Sequence, residues 1–462
     1  MSLAAANPDH FHRRLVNAET LDLHGLTLVI GLGRSGLSAV RMLVELGVEV
    51  AVTDSRANPP ELATLQREFP DVPYRVGRFD TGLFAKAQRL VVSPGVSVQT
   101  PLIAATAARG VPLWGDIELF ARVVPAPVVA ITGSNGKSTV TTLLGHMIEQ
   151  AGIPIAVGGN LGTPALDLLR QSEAMLYVLE LSSFQLETTL SLNAQAATVL
   201  NISPDHMDRY PDLNAYAQAK QRIFRGDGWQ ILNADDPQVT AMQIPHRKTL
   251  RFTLNPPATG EFGLRQIDDK IYLAYGEDNW LAADSLKIRG KHNLANALAA
   301  LALGHTLDLP KTAMLAALCS FPGLPHRTEW VTEARGISWF NDSKGTNVGA
   351  TIAAVQGLPG PLVLIAGGDG KGQDFTPLGS VLAGKVRALI VLGRDAQAIA
   401  AVSTVPVHWA DDMEQAVMLA AQIAQAGDSV LLSPACASFD MFSHYEERGE
   451  VFSALARRQA TC

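Results

Sequence analysis

Val128-Val129-Ala130-Ile131-Thr132-Gly133-Ser134-Asn135-Gly136-Lys137-Ser138-Thr139 reads as a short buried strand running into a glycine-rich turn. Val140, Leu143, Leu144, Met147 and Ile148 then follow at helical spacing, and Gly152 stands where that helix should stop. A strand, a loop and a helix N-terminus in this order make an anion site, because glycine lets the backbone N–H groups approach and the helix end is positive. Lys137 adds a charge for the β- and γ-phosphates of a nucleotide, and the hydroxyl of Ser138 or Thr139 can ligate Mg2+. The strict G-x-x-x-x-G-K-[ST] pattern fails at Ile131, so the match is to a shorter variant. A bare G-K-S would be explained as well by a turn with a solvated lysine. The strand before it and the amphipathic helix after it favour ATP, held by Gly133, Ser134, Asn135, Gly136, Lys137, Ser138 and Thr139.

Toward the N-terminus, residues 26–30 form a second apolar strand that enters Gly31-Leu32-Gly33-Arg34-Ser35-Gly36 and then a helix with Leu37, Val40, Leu43 and Val44 on one face. A further strand ends at Asp54, about 20 residues on, which completes a β-α-β unit with G-x-G-x-x-G at its turn. Alone, this unit predicts NAD with Asp54 on the ribose, yet the same turn holds any diphosphate-linked nucleoside or serves only close packing. Toward the C-terminus, apolar strands at 175–181 and 197–202 end in polar residues, which suits a parallel sheet with its chemistry at the carboxyl ends. Residues 249–288 change to short alternating runs with Pro256, Pro257 and Gly260, and a small antiparallel insert is expected there. Strands at 337–341, 361–366, 388–392 and 429–432 alternate with helical stretches and argue a second doubly wound sheet.

The expected fold is therefore α/β in three domains, each an open, mainly parallel sheet: Rossmann-like at 1–115, a central phosphate-loop domain at 116–324, and Rossmann-like again at 325–462. Phe321-Pro322-Gly323-Leu324-Pro325 supplies the second hinge. A length of 462 residues, 47% apolar and 18% charged, agrees with several packed cores. A net charge of −7 without a Lys/Arg-rich run argues against nucleic acid. Cys319, Cys436 and Cys462 lack metal or disulfide spacing and read as inert thiols of a reducing compartment. The N-terminal 25 residues carry no apolar signal segment, and no run reaches the roughly 18 apolar residues that a membrane helix needs. A cytoplasmic monomer, without membrane insertion, is expected.

The 132–139 loop, together with Leu179-Glu180-Leu181-Ser182-Ser183-Phe184-Gln185-Leu186-Glu187, residues 201–210 and residues 290–297, resembles the Mur ligases of peptidoglycan precursor synthesis. The likeness runs from about Leu26 over nearly the whole chain. Asp342-Ser343-Lys344-Gly345-Thr346-Asn347 and residues 433–442 look like the member that adds glutamate. The resemblance implies an ATP-dependent ligase whose substrates are UDP-N-acetylmuramoyl-L-alanine, D-glutamate and ATP. An acyl phosphate would form first, and the glutamate amine would then displace phosphate. The first glycine loop would face UDP, with Gly33, Arg34, Ser35, Asp54, Arg56, Ser93 and Gly95 on that substrate, Asn160 on its muramoyl part, and His206 on the substrate carboxylate or the second Mg2+.

The resemblance also implies two Mg2+ ions, one on Ser138 and Glu180 and one on His206 and a CO2-derived carbamate of Lys220, so that Lys137, Glu180, His206 and Lys220 carry the chemistry. Read without the family, His206 is a surface histidine in a polar turn, Lys220 an exposed helical lysine, Asn160 part of a turn, and Asn293 an N-cap. Asn293, Asn296, Arg327 and Asp342 are implied on ATP; Lys344, Thr346, Lys371, Ser438, Phe439 and Tyr445 on glutamate. Phe439 and Tyr445 stand where leucine and phenylalanine are usual. A nicotinamide dehydrogenase built on the first loop and a non-catalytic nucleotide sensor are the competing functions.

Overall fold

The computed structural model describes residues 21, 23–171, 173–358 and 360–461. The reading of most of the N-terminal 25 residues, and that of Cys462, lie outside them. Among the described residues three sheets form in succession. The first holds β1 (Thr27–Ile30), β2 (Val50–Asp54), β3 (Tyr74–Val76), β4 (Arg89–Val92) and β5 (Leu113–Trp114), all parallel, in the order β3-β2-β1-β4-β5.

The second sheet is larger. It contains β6 (Val128–Thr132), β7 (Ile155–Gly159), β8 (Leu176–Glu180), β9 (Ala196–Val199), β10 (Trp229–Asn233), β11 (Thr249–Phe252), β12 (Phe262–Ile267), β13 (Lys270–Tyr275) and β14 (Asp278–Ala282), in the order β14-β13-β12-β11-β10-β9-β6-β8-β7. Every residue of β6 and β8 is buried, as expected of parallel strands covered on both faces, so they read as unbroken apolar runs. Each fully buried Val, Leu or Ile contributes about 1.5–3 kcal/mol.

The expected antiparallel insert differs in two respects. β11 is still parallel to β10, so the antiparallel part begins only at the β12–β13 hairpin. Those strands are also no separate unit; they extend the central sheet at its edge, and burial does not alternate along β13, where Lys270 and Ile271 are both exposed and Leu273 and Ala274 both buried.

The third sheet holds β15 (Glu329–Ala334), β16 (Ile337–Asn341), β17 (Leu362–Gly367), β18 (Val386–Leu392), β19 (Val407–Trp409) and β20 (Ser429–Leu432), in the order β15-β16-β20-β17-β18-β19, parallel apart from the β15–β16 hairpin. Along β17, Leu362, Leu364 and Ala366 enter one apolar cluster and Val363 and Ile365 the opposite one.

The cores are shared unequally. One cluster joins Val29 of the first sheet and Leu37 of the helix Arg34–Glu45 to Ile117 and Phe120 of the helix Asp116–Val123 and to Val128 and Tyr177 of the second sheet, with Phe120 edge-on to Tyr177 at 5.4 Å between ring centres. The third sheet keeps its two clusters to itself.

Candidate active site

β6 delivers Thr132 to the carboxyl edge of the central sheet, and the helix Lys137–Gln150 starts five residues later. Gly136 turns the corner at φ +83, and a Cβ there would stand 2.4 Å from Asn296 Oδ1, so glycine is what allows the approach. The loop is braced from the end of β9: Ser134 N donates to Asn201 O (2.9 Å), Asn135 N to Asn201 Oδ1 (2.8 Å), and Asn201 Nδ2 to Asn135 O (3.0 Å). Lys137 Nζ folds back onto Gly133 O and Ser134 O, both at 2.9 Å. Burial holds its ammonium below the usual lysine range, against the pull of Glu180 and Asp205.

Glu180 closes β8 beside this loop and is 2% exposed. Its Oε1 accepts from Asn160 Nδ2 at 2.6 Å, while Oε2 is buried with no hydrogen-bond partner among the described residues. Lys220 is 1% exposed on the helix Leu213–Gln221, which removes the exposed-lysine alternative. Its Nζ donates to Thr132 Oγ1 at 3.3 Å and lies 4.6 Å from the centre of the Tyr216 ring. Burial first, and the charge of Lys137 second, push this amine far below the ordinary lysine range. His206 adopts a left-handed φ of +56, sets its ring 4.8 Å from that of Phe184, and has Nε2 3.8 Å from Asp205 Oδ2. Burial lowers its pKa, and Asp205 partly opposes that.

A cavity of about 300 Å3 opens between the central and third domains, lined by Asn135, Gly136, Asn293, Asn296, Arg327 and Asp342 among others. Asn293 is not an N-cap. Gly290 caps the helix Lys291–Thr306, and Asn293 Nδ2 instead donates to Arg289 O (2.8 Å) while its Oδ1 accepts from Asn296 Nδ2 (3.1 Å). Arg327 Nη2 crosses the cleft to Ser138 Oγ at 2.7 Å. Asp342 accepts from Thr328 N (3.0 Å) and Ser433 Oγ (2.7 Å), and burial pushes its carboxyl up to about 6.

The expected glutamate residues are only partly gathered. Lys344 lines the cavity with Nζ 3.8 Å from the centre of the Tyr445 ring, and burial, aided by Arg327 and Lys137, pushes its amine down to about 8. Lys371 reaches into the central domain, with Nζ 3.8 Å from Asp205 Oδ1. Thr346 N donates to Lys344 O (2.8 Å), and Ser438 is 3% exposed with its carbonyl accepting from Phe442 N (2.8 Å). Phe439 is 73% exposed and does not line the cavity, an aromatic ring left in solvent where the sequence placed it at the glutamate.

In the first domain Gly33 caps the helix Arg34–Glu45, Arg34 Nη2 bridges to Gly162 O at 2.7 Å, and the Ser35 hydroxyl stands beside the buried Asp116. Asp54 is 2% exposed; its Oδ2 accepts from Leu32 N (2.7 Å) and Arg56 Nη2 (2.6 Å), and its Oδ1 from Arg56 N and Nε. Burial alone would raise the Asp54 carboxyl, but these donors together hold it below its ordinary value. A carboxylate so occupied is poorly placed to grip the adenine-side ribose of NAD. Ser93 Oγ donates to Gly31 O at 2.7 Å, so its hydroxyl closes the turn, with Gly95 in the same loop.

Two residues given no role from sequence prove central. Asn347 caps the helix Val348–Gly357 through Ala350 N, and its amide also faces Asn135 (Nδ2 to Oδ1, 3.2 Å) and Asp205 (Nδ2 to Oδ2, 3.4 Å). Asp205 meets Asn347, Lys371 and His206 together. An Asn ahead of a helical run signals the cap, but nothing in the sequence signals the partner across the cleft.

The chain matches the Mur ligase MurD-like N-terminal domain over residues 26–115, the Mur ligase middle domain over 131–304 and the Mur ligase, glutamate ligase domain over 326–436. It is 56% identical over 440 residues to the UDP-N-acetylmuramoylalanine--D-glutamate ligase of Nitrosococcus oceani, covering 94% of this chain and 97% of that one. It is 54% identical over 435 residues to the protein of the same name from Pseudomonas putida, covering 93% and 96%. Among solved structures, MurF from Acinetobacter baumannii superposes with a TM-score of 0.60 at 16% identity, covering 94% of this chain and 92% of that one, a likeness of fold.

Proposed function

The chain belongs to the Mur ligase family, and from that premise we infer that it is an ATP-dependent ligase that joins D-glutamate to UDP-N-acetylmuramoyl-L-alanine in peptidoglycan precursor synthesis. The observation that carries the reading is the gathering of Lys137, Glu180 and buried Lys220 at the edge of the central sheet, faced by Arg327 and Lys371 from the third domain. The three sheets support divisions near 115/116 and 324/325.

In this reading the substrate's alanine carboxylate attacks the γ-phosphorus of ATP, so that a carboxylate–phosphorus bond forms as the bond to ADP breaks, giving an acyl phosphate and ADP. The glutamate amine then attacks the acyl carbon, and phosphate departs with the bonding electrons. Both steps crowd negative oxygens, so fixed cations and dipoles matter more than covalent help. Lys137 turns from Gly133 O and Ser134 O onto the phosphates, and the backbone of residues 133–139 cradles them. Arg327 leaves Ser138 for the nucleotide, while Asn293 and Asn296 take the adenine side of the cavity and Asp342 holds Thr328 and Ser433 in place beneath it. Asn160 orients the muramoyl part and His206 the substrate carboxylate, the turn at Ser93 and Gly95 lies on the pyrophosphate side, and Gly33, Arg34, Ser35, Asp54 and Arg56 take the uridine end. Lys344, Thr346, Lys371, Ser438 and Tyr445 hold the dicarboxylic acid, for which ammonium groups and hydroxyl donors are the right chemistry.

A buried carboxylate oxygen without a partner fits a hard cation, so Glu180 and Ser138 would hold one Mg2+ with the phosphates. Among the described residues no three His, Cys, Asp or Glu side chains cluster as a metal cage. A second Mg2+ would sit by His206 and Lys220. When bound, the ions neutralise charge on the phosphoryl oxygens. The neutral amine that burial favours at Lys220 is the form able to add CO2 and give a carbamate. No helix among the described residues is long and apolar enough to cross a membrane; a cytoplasmic monomer is proposed from the family resemblance.

The deciding experiment measures phosphate release from ATP, Mg2+ and UDP-N-acetylmuramoyl-L-alanine with D- and L-glutamate side by side. Release that D-glutamate stimulates and L-glutamate does not is expected; no release with D-glutamate ends the proposal.

A further inference from the structure

Arg209 joins three places that the proposed reaction leaves separate. Its Nη1 and Nη2 donate to Pro94 O and Val96 O in the first domain, both at 3.4 Å. Nη2 also donates to Glu187 in the central domain at 2.6 Å, in a pair whose side chains are each 13% exposed. The flat of the guanidinium lies 4.4 Å from the centre of the Phe184 ring, and that ring meets His206 edge-on at 4.8 Å.

The backbone closes the loop. Arg209 N and Tyr210 N both donate to His206 O, at 2.9 and 3.1 Å, and so hold the turn in which His206 takes its left-handed φ. The same residue therefore grips the 93–96 turn with its side chain and fixes the backbone of His206 with its own. A lysine could not replace it, since only a planar fork meets several acceptors while stacking on a ring.

We propose that Arg209 is a positioning residue that ties the placement of His206 to the seating of the UDP sugar against the 93–96 turn. This rests on the reading of that turn as a substrate contact and of His206 as part of the reaction centre. The coupling runs through contacts in series: turn, guanidinium, Phe184, His206. Removing the guanidinium should affect both ends, whereas removing the ring should affect only the reacting end.

The test uses the full-length enzyme, with initial rates and direct titration of UDP-N-acetylmuramoyl-L-alanine. Arg209→Met should weaken UDP-sugar binding and lower kcat, each by about five- to thirtyfold, with the KM for ATP within about twofold. Phe184→Leu should lower kcat alone, leaving UDP-sugar affinity within about twofold, and the double variant should fall short of the product of the two effects on kcat. Should Arg209→Met fail to fold, Glu187→Gln releases the guanidinium without deleting it and should give the same pattern at smaller size.

A variant at 209 that weakens UDP-sugar binding but leaves kcat intact overturns the proposal, as do multiplicative effects on kcat. A wild-type enzyme without affinity for the UDP sugar overturns both this proposal and the function beneath it. Normal wild-type turnover with unaffected variants overturns the coupling alone.

Discussion

The central domain meets its two neighbours in opposite ways. Against the first domain it shares an apolar core, with Phe120 on Tyr177 and Arg122 stacked 4.1 Å from the centre of the Trp114 ring. Against the third it offers polar contacts: Arg327 to Ser138, Asn347 to Asn135, Lys371 to Asp205. Apolar contact survives only if the parts stay together, whereas hydrogen bonds to an open cleft are readily exchanged for bonds to a ligand. The first interface therefore builds a platform, and the second a closure.

The largest expected effect breaks the platform. Phe120→Ala should cost about 3–5 kcal/mol in denaturant unfolding, with the first and central domains lost in one transition; a loss confined to the first domain would contradict the shared core. Lys220→Ala tests what the platform carries: phosphate release should fall about 100- to 1000-fold, with partial return on adding bicarbonate or short carboxylates. Full activity would remove Lys220 from the chemistry.

Arg327→Ala acts on the closure instead. It should cost about 1.5–3 kcal/mol in kcat/KM for ATP while leaving the unfolding midpoint nearly unchanged. The pH dependence is a finer probe. Lys344 carries its charge below about 8, so the KM for D-glutamate should be lowest there and rise with pH above it, by up to about 1.4 kcal/mol per unit. Stability of the free protein should move the other way: the folded lysine is neutral where the unfolded one is still charged, so stability rises above pH 8 toward the ordinary lysine range. Lys344→Met should flatten the KM trend and only reduce the stability trend, to which the buried amines of Lys137 and Lys220 also contribute. Smallest is Asn347→Ala, which removes a helix cap worth about 1 kcal/mol and a bridge across the cleft; its signature is a weaker closure at raised salt.

The same contrast explains what the sequence made legible. β6 and its glycine corner could be read because a doubly covered strand is an unbroken apolar run and a phosphate loop has a fixed spacing. β13 could be read as a strand, but its membership of the central sheet could not, since an edge strand looks alike in an insert and in an extension. Glu180 was signalled by its place at the end of a buried strand, Lys220 by nothing local: its burial depends on Tyr216 and Thr132 closing over it. Asn135, Asp205 and Asn347 lie too far apart in the chain for any periodicity to join them. For Phe439 the motif fixes where the residue falls in sequence, not which way its ring points, and the ring is exposed.

The shared core also bears on how the chain is made. The first sheet is complete once Trp114 has been synthesised, yet the cluster that covers it runs on to Met242. At about 5–20 residues per second, translation leaves the rest of that cluster, beyond the helix Arg34–Glu45 that already lies on the sheet, unmade for on the order of ten seconds. A newborn first domain is thus a client for whatever shields greasy surfaces at the ribosome exit, while the third domain, with both its clusters drawn from its own sequence, emerges able to finish folding unaided.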